Sequence, residues 1–490
     1  MRSLIITLVH FFFLTNIGTA QNQNMVFQSQ LSYEVDLSDI WGYTDDIGRD
    51  FAIVGLFNGT SFVDISIPNS PREVARVPGG LSSWKDIKTY KDRAFIVGEY
   101  PQGLQIIDLS RLPNELDSTD QFFWDTVTPF GRIRNCHNLF IEESTGIGYL
   151  SGCASNVPGG VIMIDVKPEI PVYLGRTNNG YSHDVYVRND TIYSSDINDG
   201  VFSIIDASNK TAPNILASQS TPQRLTHNSW LSDDGNTIFT TDEVGNASVA
   251  AYDITDLDNI RLLDEFRPRG TISSGLIPHN VHVRNDFLIS SFYAEGVIIT
   301  DASRPDNLVQ IGNYDTFFGA NSSFLGAWGA FPFFESDIVI VSDITNGLFV
   351  LEANYVRASF FEGMVRDSST GEPLGGVFIE GFDRGVSVFQ ASTGLDGTFS
   401  VGTVISGNLD IVFRKTDFAT RQVNIDLNNG QVTNIDLNLL PTGISLIGDN
   451  LIGCAPHVVN FSTIGATTDN FQWTFEGLSL IHISEPTRPY

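Results

Sequence analysis

The chain has 490 residues, 57 of them acidic against 28 basic, for a formal net charge of -29. Such a carboxylate surplus argues against nucleic acid as a partner, because neutralising phosphates takes clustered Lys and Arg; a solvated exterior is the simplest account. Gly, Asn, Asp, Thr, Ser, Val, Ile and Phe are abundant and long Ala/Leu/Glu/Lys stretches are missing, which excludes a helical bundle and points to an all-β chain.

The first element, "MRSLIITLVHFFFLTNIGTA" (1–20), combines one early Arg, an apolar core and the small residues Gly18, Thr19 and Ala20. It reads as a secretory signal peptide, too short in its apolar part to span a membrane. No Cys follows the cleavage point for a lipid anchor, and no later stretch approaches the roughly 20 apolar residues of a spanning helix. The expectation is an exported protein without a transmembrane segment.

A repeat then governs residues 29–354. "GTSFVDIS" (59–66), "GLQIIDLS" (103–110), "GVIMIDVK" (160–167), "GVFSIIDAS" (200–208), "ASVAAYDIT" (247–255), "GVIITDAS" (296–303) and "GLFVLEA" (347–353) recur at spacings in the range of propellers and solenoids. Each copy is preceded by two alternating strands and a turn, and most are followed by a fourth strand, which makes one propeller blade per repeat. The last copy lacks its fourth strand, while "SQLSYEVDL" (29–37) is spare at the N-terminus. We expect that segment to complete a seventh blade and close the ring, removing two exposed sheet edges.

Register places chemistry at the blade entries. In "HDVYVRNDTIYSSD" a turn at Asn189 and Asp190 sets His183 opposite Asp196. A turn at Asp234 and Gly235 likewise sets His227 opposite Asp242, and one at Ser144 and Thr145 sets Cys136 opposite Cys153, a disulfide in an exported protein. Cys454 is left over. The recurrent entry reads Lys85-Asp86, His137-Asn138, His183-Asp184, His227-Asn228 and His279-Asn280, with Trp41-Gly42 and Trp328-Gly329 in the first and last blades. His137, His183, His227, His279, Asp196, Asp242 and Asp343 are therefore expected around one mouth of the channel, with Asn138, Asp184, Asn228 and Asn280 beside them. His282 takes the place of Phe140, Tyr186 and Trp230, so packing accounts for it.

Two chemistries fit this arc. Neutral imidazoles and carboxylates are ligands for divalent metals, with His183, His227, Asp196 and Asp242 as the set. Against this, repeated His, Asn and Asp beside turns commonly satisfy loop backbone and weld neighbouring blades, and repetition in successive blades favours architecture over catalysis. No nucleophile elbow, phosphate loop or zincin motif is present, and "DINDG" (196–200) lacks the later bidentate Glu of a calcium loop.

The "GLxIIDxS" strands, the "HN" and "HD" entries and the signal peptide together resemble the choice-of-anchor B family of exported bacterial proteins, built of LVIVD-type repeats. The resemblance implies a seven-bladed propeller with interchangeable C-terminal anchoring or sorting signals, at the surface of, or secreted by, a Gram-negative bacterium; it implies no established activity and no catalytic residues. From Phe360, within 358–440, "GEPLGG" (371–376) and "STGLDGTFS" (392–400) resemble the turns of a carboxypeptidase regulatory-like domain, a transthyretin-like β-sandwich that serves structure or docking. Residues 446–477, with "FQWTFEG" (471–477), resemble the first half of a PKD-type immunoglobulin-like sandwich, and that copy stops midway. Residues 478–490, "LSLIHISEPTRPY", match the translation of a transposon end and sequencing adapter, so His482 is set aside and the natural C-terminus, with any envelope-attachment signal, is expected to be missing.

Three functions follow. The first is a non-enzymatic binding scaffold for an unknown extracellular protein or glycan, with the propeller presenting one face and the sandwiches as spacers. The second is a metal-dependent hydrolase or lactonase using the His/Asp mouth. The third is a glycan-binding adhesin using Trp41, Trp84 and Trp328, which requires those rings to be exposed.

Overall fold

A computed structural model describes residues 22–153, 159–268, 275–319 and 324–442, with the backbone of two paired strands, Ser445–Gly448 and Phe461–Ile464. The expected signal peptide (1–20), Cys454 and residues 478–490 lie outside the described residues, as does most of the expected PKD-type segment.

Among the described residues the chain is β apart from one 3-10 turn at Tyr293–Glu295, and seven four-stranded antiparallel sheets, with a short hairpin of Thr126–Thr128 and Gly131–Ile133, lie in the compact unit up to Ala358. Blades 1 to 6 open with inner strands Leu37–Thr44, Lys85–Tyr90, Asn138–Glu142, Asp184–Arg188, Thr226–Leu231 and Pro278–Arg284. Blade 7 uses Ala327–Phe331, Ile338–Asp343 and Gly347–Ala353, and its fourth strand is Met25–Leu31, paired antiparallel to Gly347–Ala353. The closing strand is thus four residues earlier than the segment read from sequence, and Leu37 already belongs to blade 1. Each inner strand packs on the next, and that of blade 7 returns to that of blade 1, so the ring is closed.

Local chemistry explains the repeat. The aspartate ending the third strand accepts a hydrogen bond from the N–H two residues on in six blades: Asp64, Asp108, Asp165, Asp206, Asp253 and Asp301. These are Asx-type turns that end the strand and start the outer loop. In blade 4 Asn189 and Asp190 both have positive φ, 52° and 58°, the two-residue turn that suits a right-twisted hairpin. Alternating apolar residues of adjacent blades interlock, as where Phe202 and Ile204 meet Ile238 and Ala250.

The second unit, from Ser359, is a sandwich. A three-stranded sheet (Thr398–Thr403, Ser359–Asp367, Val432–Leu439) faces a four-stranded one (Val386–Ser392, Phe378–Asp383, Gly407–Arg414, Arg421–Leu427) across a core that includes Phe361, Phe389, Phe399 and Phe413. No helix among the described residues is long and apolar enough to cross a membrane.

Candidate functional site

Each inner strand begins with two polar slots. The first holds Ser38, Lys85, His137, His183, His227, His279 and Trp328; the second holds Asp39, Asp86, Asn138, Asp184, Asn228, Asn280 and Gly329. Hydrogen bonds define this alignment. The second-slot side chain reaches the following blade: Ile87 N–H donates to Asp39 (3.0 Å), Leu139 N–H to Asp86 (3.0 Å), Val185 N–H to Asn138 (3.1 Å) and Val281 N–H to Asn228 (3.1 Å). Asn228 Nδ2 also donates back to Asp184 Oδ2 (3.0 Å). The structure thereby corrects blade 1, whose entry is Ser38-Asp39 and not Trp41-Gly42. Trp41 belongs two residues further on, among the rings of Trp230, His282, Phe331 and Phe333 that fill the channel below. In blade 7 the slot is glycine because a Cβ there would stand 2.9 Å from Asp39 Oδ1.

The four predicted histidines do form one arc, with ring centroids 4.1 Å apart for His137–His183, 4.5 Å for His183–His227 and 4.3 Å for His227–His279. His137, His227 and His279, with Asn138, Asp184 and Asn280, border a cavity of about 280 Å³, counting space open to solvent, whose wall also includes Asp39, Lys85, Asp86, Trp84 and Trp328.

Of the predicted aspartates only Asp184 joins them; Asp196, Asp242 and Asp343 do not. His183 lies opposite Asp196 in register, since Asp184 pairs with Ser195, but the side chains take different partners. Asp196 accepts from Asn179 (2.8 Å), Ser194 (2.6 Å) and Ser203 (2.6 Å), while His183 Nδ1 is 2.9 Å from Asp184. His227 is not opposite Asp242 at all: a bulge at His227 slips the register, and Asp242 pairs with Thr226. Asp242 instead accepts from Thr221 Oγ1 and from the N–H groups of Gln223 and Leu225, and Asp343 from Thr316 Oγ1 and the N–H groups of Thr345 and Asn346. Asp242 and Asp343 are loop caps and Asp196 is held by side-chain donors, so the metal set His183, His227, Asp196 and Asp242 is not assembled. Cys136 and Cys153 form the expected disulfide.

Besides Asp184, the carboxylates that meet the imidazoles are Glu99 and Glu243. Glu99 lies 3.0 Å from His137 Nδ1; Glu243 lies 3.8 Å from His227 Nε2 and 4.0 Å from His279 Nε2, and Tyr293 Oη donates to it (2.6 Å). Sequence reasoning stopped one residue short. Glu243 follows the strand-ending Asp242, and alternation turns it to the other side of the chain. Beneath the arc, Lys88 pairs with Asp86, stands 3.7 Å from Asp39 and sits over the Trp41 ring at 4.3 Å.

Burial sets the charges. It pulls His227 and His279 down to about 3, so both rings are neutral at ordinary pH. Burial would raise Asp184, but the imidazoles of His227, His183 and His137 more than offset it, and the carboxyl is held well below the usual range. Burial opposes protonation of His137, but its hydrogen bond to Glu99 and the Asp184 charge prevail and raise it. Burial lowers Lys85 to about 8; its Nζ donates to the carbonyls of Leu56 and Phe57. Burial also pushes Asp39 well above the carboxylate range, against the pull of Lys88.

Two family models match parts of the chain, one in each unit. Residues 179–221, all of blade 4, match the LVIVD repeat, and residues 361–440 match the carboxypeptidase regulatory-like domain. Among solved structures, the chain is similar to the β-propeller domain of Cps50 (Swd1) from Myceliophteria thermophila, at 10% identity, covering 67% of this chain and 100% of that one, with a TM-score of 0.48. No curated protein matches it. The chain is a β-propeller protein with an LVIVD repeat and a carboxypeptidase regulatory-like domain.

Proposed function

We propose that this is an exported, non-enzymatic interaction scaffold of choice-of-anchor B type, secreted by or displayed on a Gram-negative bacterium. The propeller presents its channel mouth to an extracellular protein or glycan. The carboxypeptidase regulatory-like sandwich, and the PKD-type segment after it, act as spacers toward an envelope attachment. The observation that carries the reading is the fate of the polar ring: the side chains of Asp39, Asp86, Asn138, Asp184 and Asn228 are spent on neighbouring blades, and the four imidazoles take a glutamate, an aspartate and two main-chain carbonyls as partners. None of those partners is a nucleophile waiting for a base. Of the three tryptophans, Trp84 is exposed at the mouth, whereas Trp41 packs in the channel and Trp328 against His279. Glycan stacking would therefore rest on Trp84.

The test is turnover. The full chain, with and without added Zn²⁺, is assayed against ester, lactone and phosphoester substrates. The scaffold reading expects no rate above buffer, and a rate that disappears in Glu243→Gln would overturn it.

A further inference from the structure

His227 and His279 each use one ring edge to hold the next blade. The Nδ1 of His227 lies 3.1 Å from the carbonyl oxygen of His279, and the Nδ1 of His279 lies 2.5 Å from the carbonyl oxygen of Trp328. A carbonyl can only accept, so Nδ1 carries the proton in both rings. A neutral imidazole protonated at Nδ1 has a bare lone pair on Nε2. Both lone pairs face Glu243, at 3.8 and 4.0 Å from its carboxylate oxygens, so nitrogen and oxygen lone pairs converge with no hydrogen between them.

That arrangement is what a metal requires. One ligand atom from each of His227, Glu243 and His279 lies within 4.8 Å of the others. Ligand atoms around a tetrahedral zinc, at bond lengths near 2.1 Å, stand about 3.4 Å apart, so small side-chain adjustments close the gap. The outer contacts are also those of a metal site: a backbone carbonyl on the far nitrogen of each imidazole fixes tautomer and ring plane, and Tyr293 Oη orients Glu243 from 2.6 Å. The bulges at His227 and between Pro278 and Val281 aim both imidazoles, and the site reaches water through Glu243, whose side chain is 20% exposed. The neighbouring group of His137, His183 and Asp184 differs, because Nδ1 of each of its histidines already meets a carboxylate, Glu99 or Asp184.

We propose that His227 Nε2, His279 Nε2 and a Glu243 carboxylate oxygen bind one divalent transition metal of the zinc class at the channel mouth. Two imidazoles and a carboxylate suit zinc and its cobalt surrogate, and three protein ligands leave a further position for a water or a ligand oxygen. The site is independent of the scaffold reading, since a bound metal without turnover satisfies both.

The test uses the full chain, purified without chelator and titrated with Co²⁺, followed by visible absorption and calorimetry. The expected result is one equivalent bound with ligand-field bands, weakened at least tenfold in Glu243→Gln and in His279→Gln and unchanged in His183→Gln. If His279→Gln does not fold, the partly exposed Glu243→Gln decides the matter. Absence of saturable binding in the native chain, or undiminished binding in Glu243→Gln, overturns the site.

Discussion

His282 occupies a slot that other blades fill with Phe140, Tyr186, Trp230 and Phe331; it is buried, and its Nδ1 has no hydrogen-bond partner. Burial, helped by the nearby Lys88 charge, holds this imidazole down to about 3. An unfolded histidine titrates near 6.5, so between those values the unfolded chain binds the extra proton and stability rises with pH. Falling pH across that window therefore weakens the fold. Replacing His282 with Phe removes one such proton: the stability lost between pH 7 and pH 5 should shrink by roughly 2 kcal/mol relative to the native chain. Urea unfolding at the two pH values checks it, and an unchanged pH dependence would show that the imidazole is hydrated in the fold. His282 was legible as a packing residue because its sibling positions are aromatic. Asp39 was not, because blade 1 carries its bulge three residues before the tryptophan that looked like the entry.

The strand that closes the ring was legible as a kind of element but not in its bounds. A last repeat without a fourth strand and a spare segment at the start imply closure, yet the segment's alternation does not show where pairing ends, and Met25–Leu31 carries its own bulge between Phe27 and Ser29. Bulges account for the other misplacements. The hairpins of blades 3 and 4 run in simple register, so Cys136–Cys153 and the His183 position could be counted out from the turns; those of blades 1, 5, 6 and 7 slip at the entry, and such counting fails there. A chain beginning at Ser32 would leave the Gly347–Ala353 edge unpaired. It should lose the single cooperative unfolding transition and self-associate, as measured by calorimetry and light scattering. A monomer with native unfolding would mean that the ring does not depend on this strand.

On the scale of the molecule, seven copies of one blade place the same side chains around one axis, and that symmetry explains both what was readable and what was not. The repeat spacing and the D-x-S turns announced the propeller. The glutamates at the mouth carried no repeat signal: Glu99 and Glu243 occur in two blades only, where the arc departs from its own pattern. Departure from the repeat is where a metal site can arise, whereas the repeated residues belong to the joints between blades.

Asn228 tests that distinction most directly, because it was equally readable as a ligand-binding residue and it bonds blades on both sides, Asp184 in one and Val281 in the other. The decisive measurement is the unfolding free energy of Asn228→Ala by urea denaturation. A joint residue leaves an N–H and a carboxylate oxygen without partners, so the account predicts a loss of about 2 kcal/mol or more. A change within about 0.5 kcal/mol, or a gain of stability of the kind seen when a functional residue is removed, would contradict it.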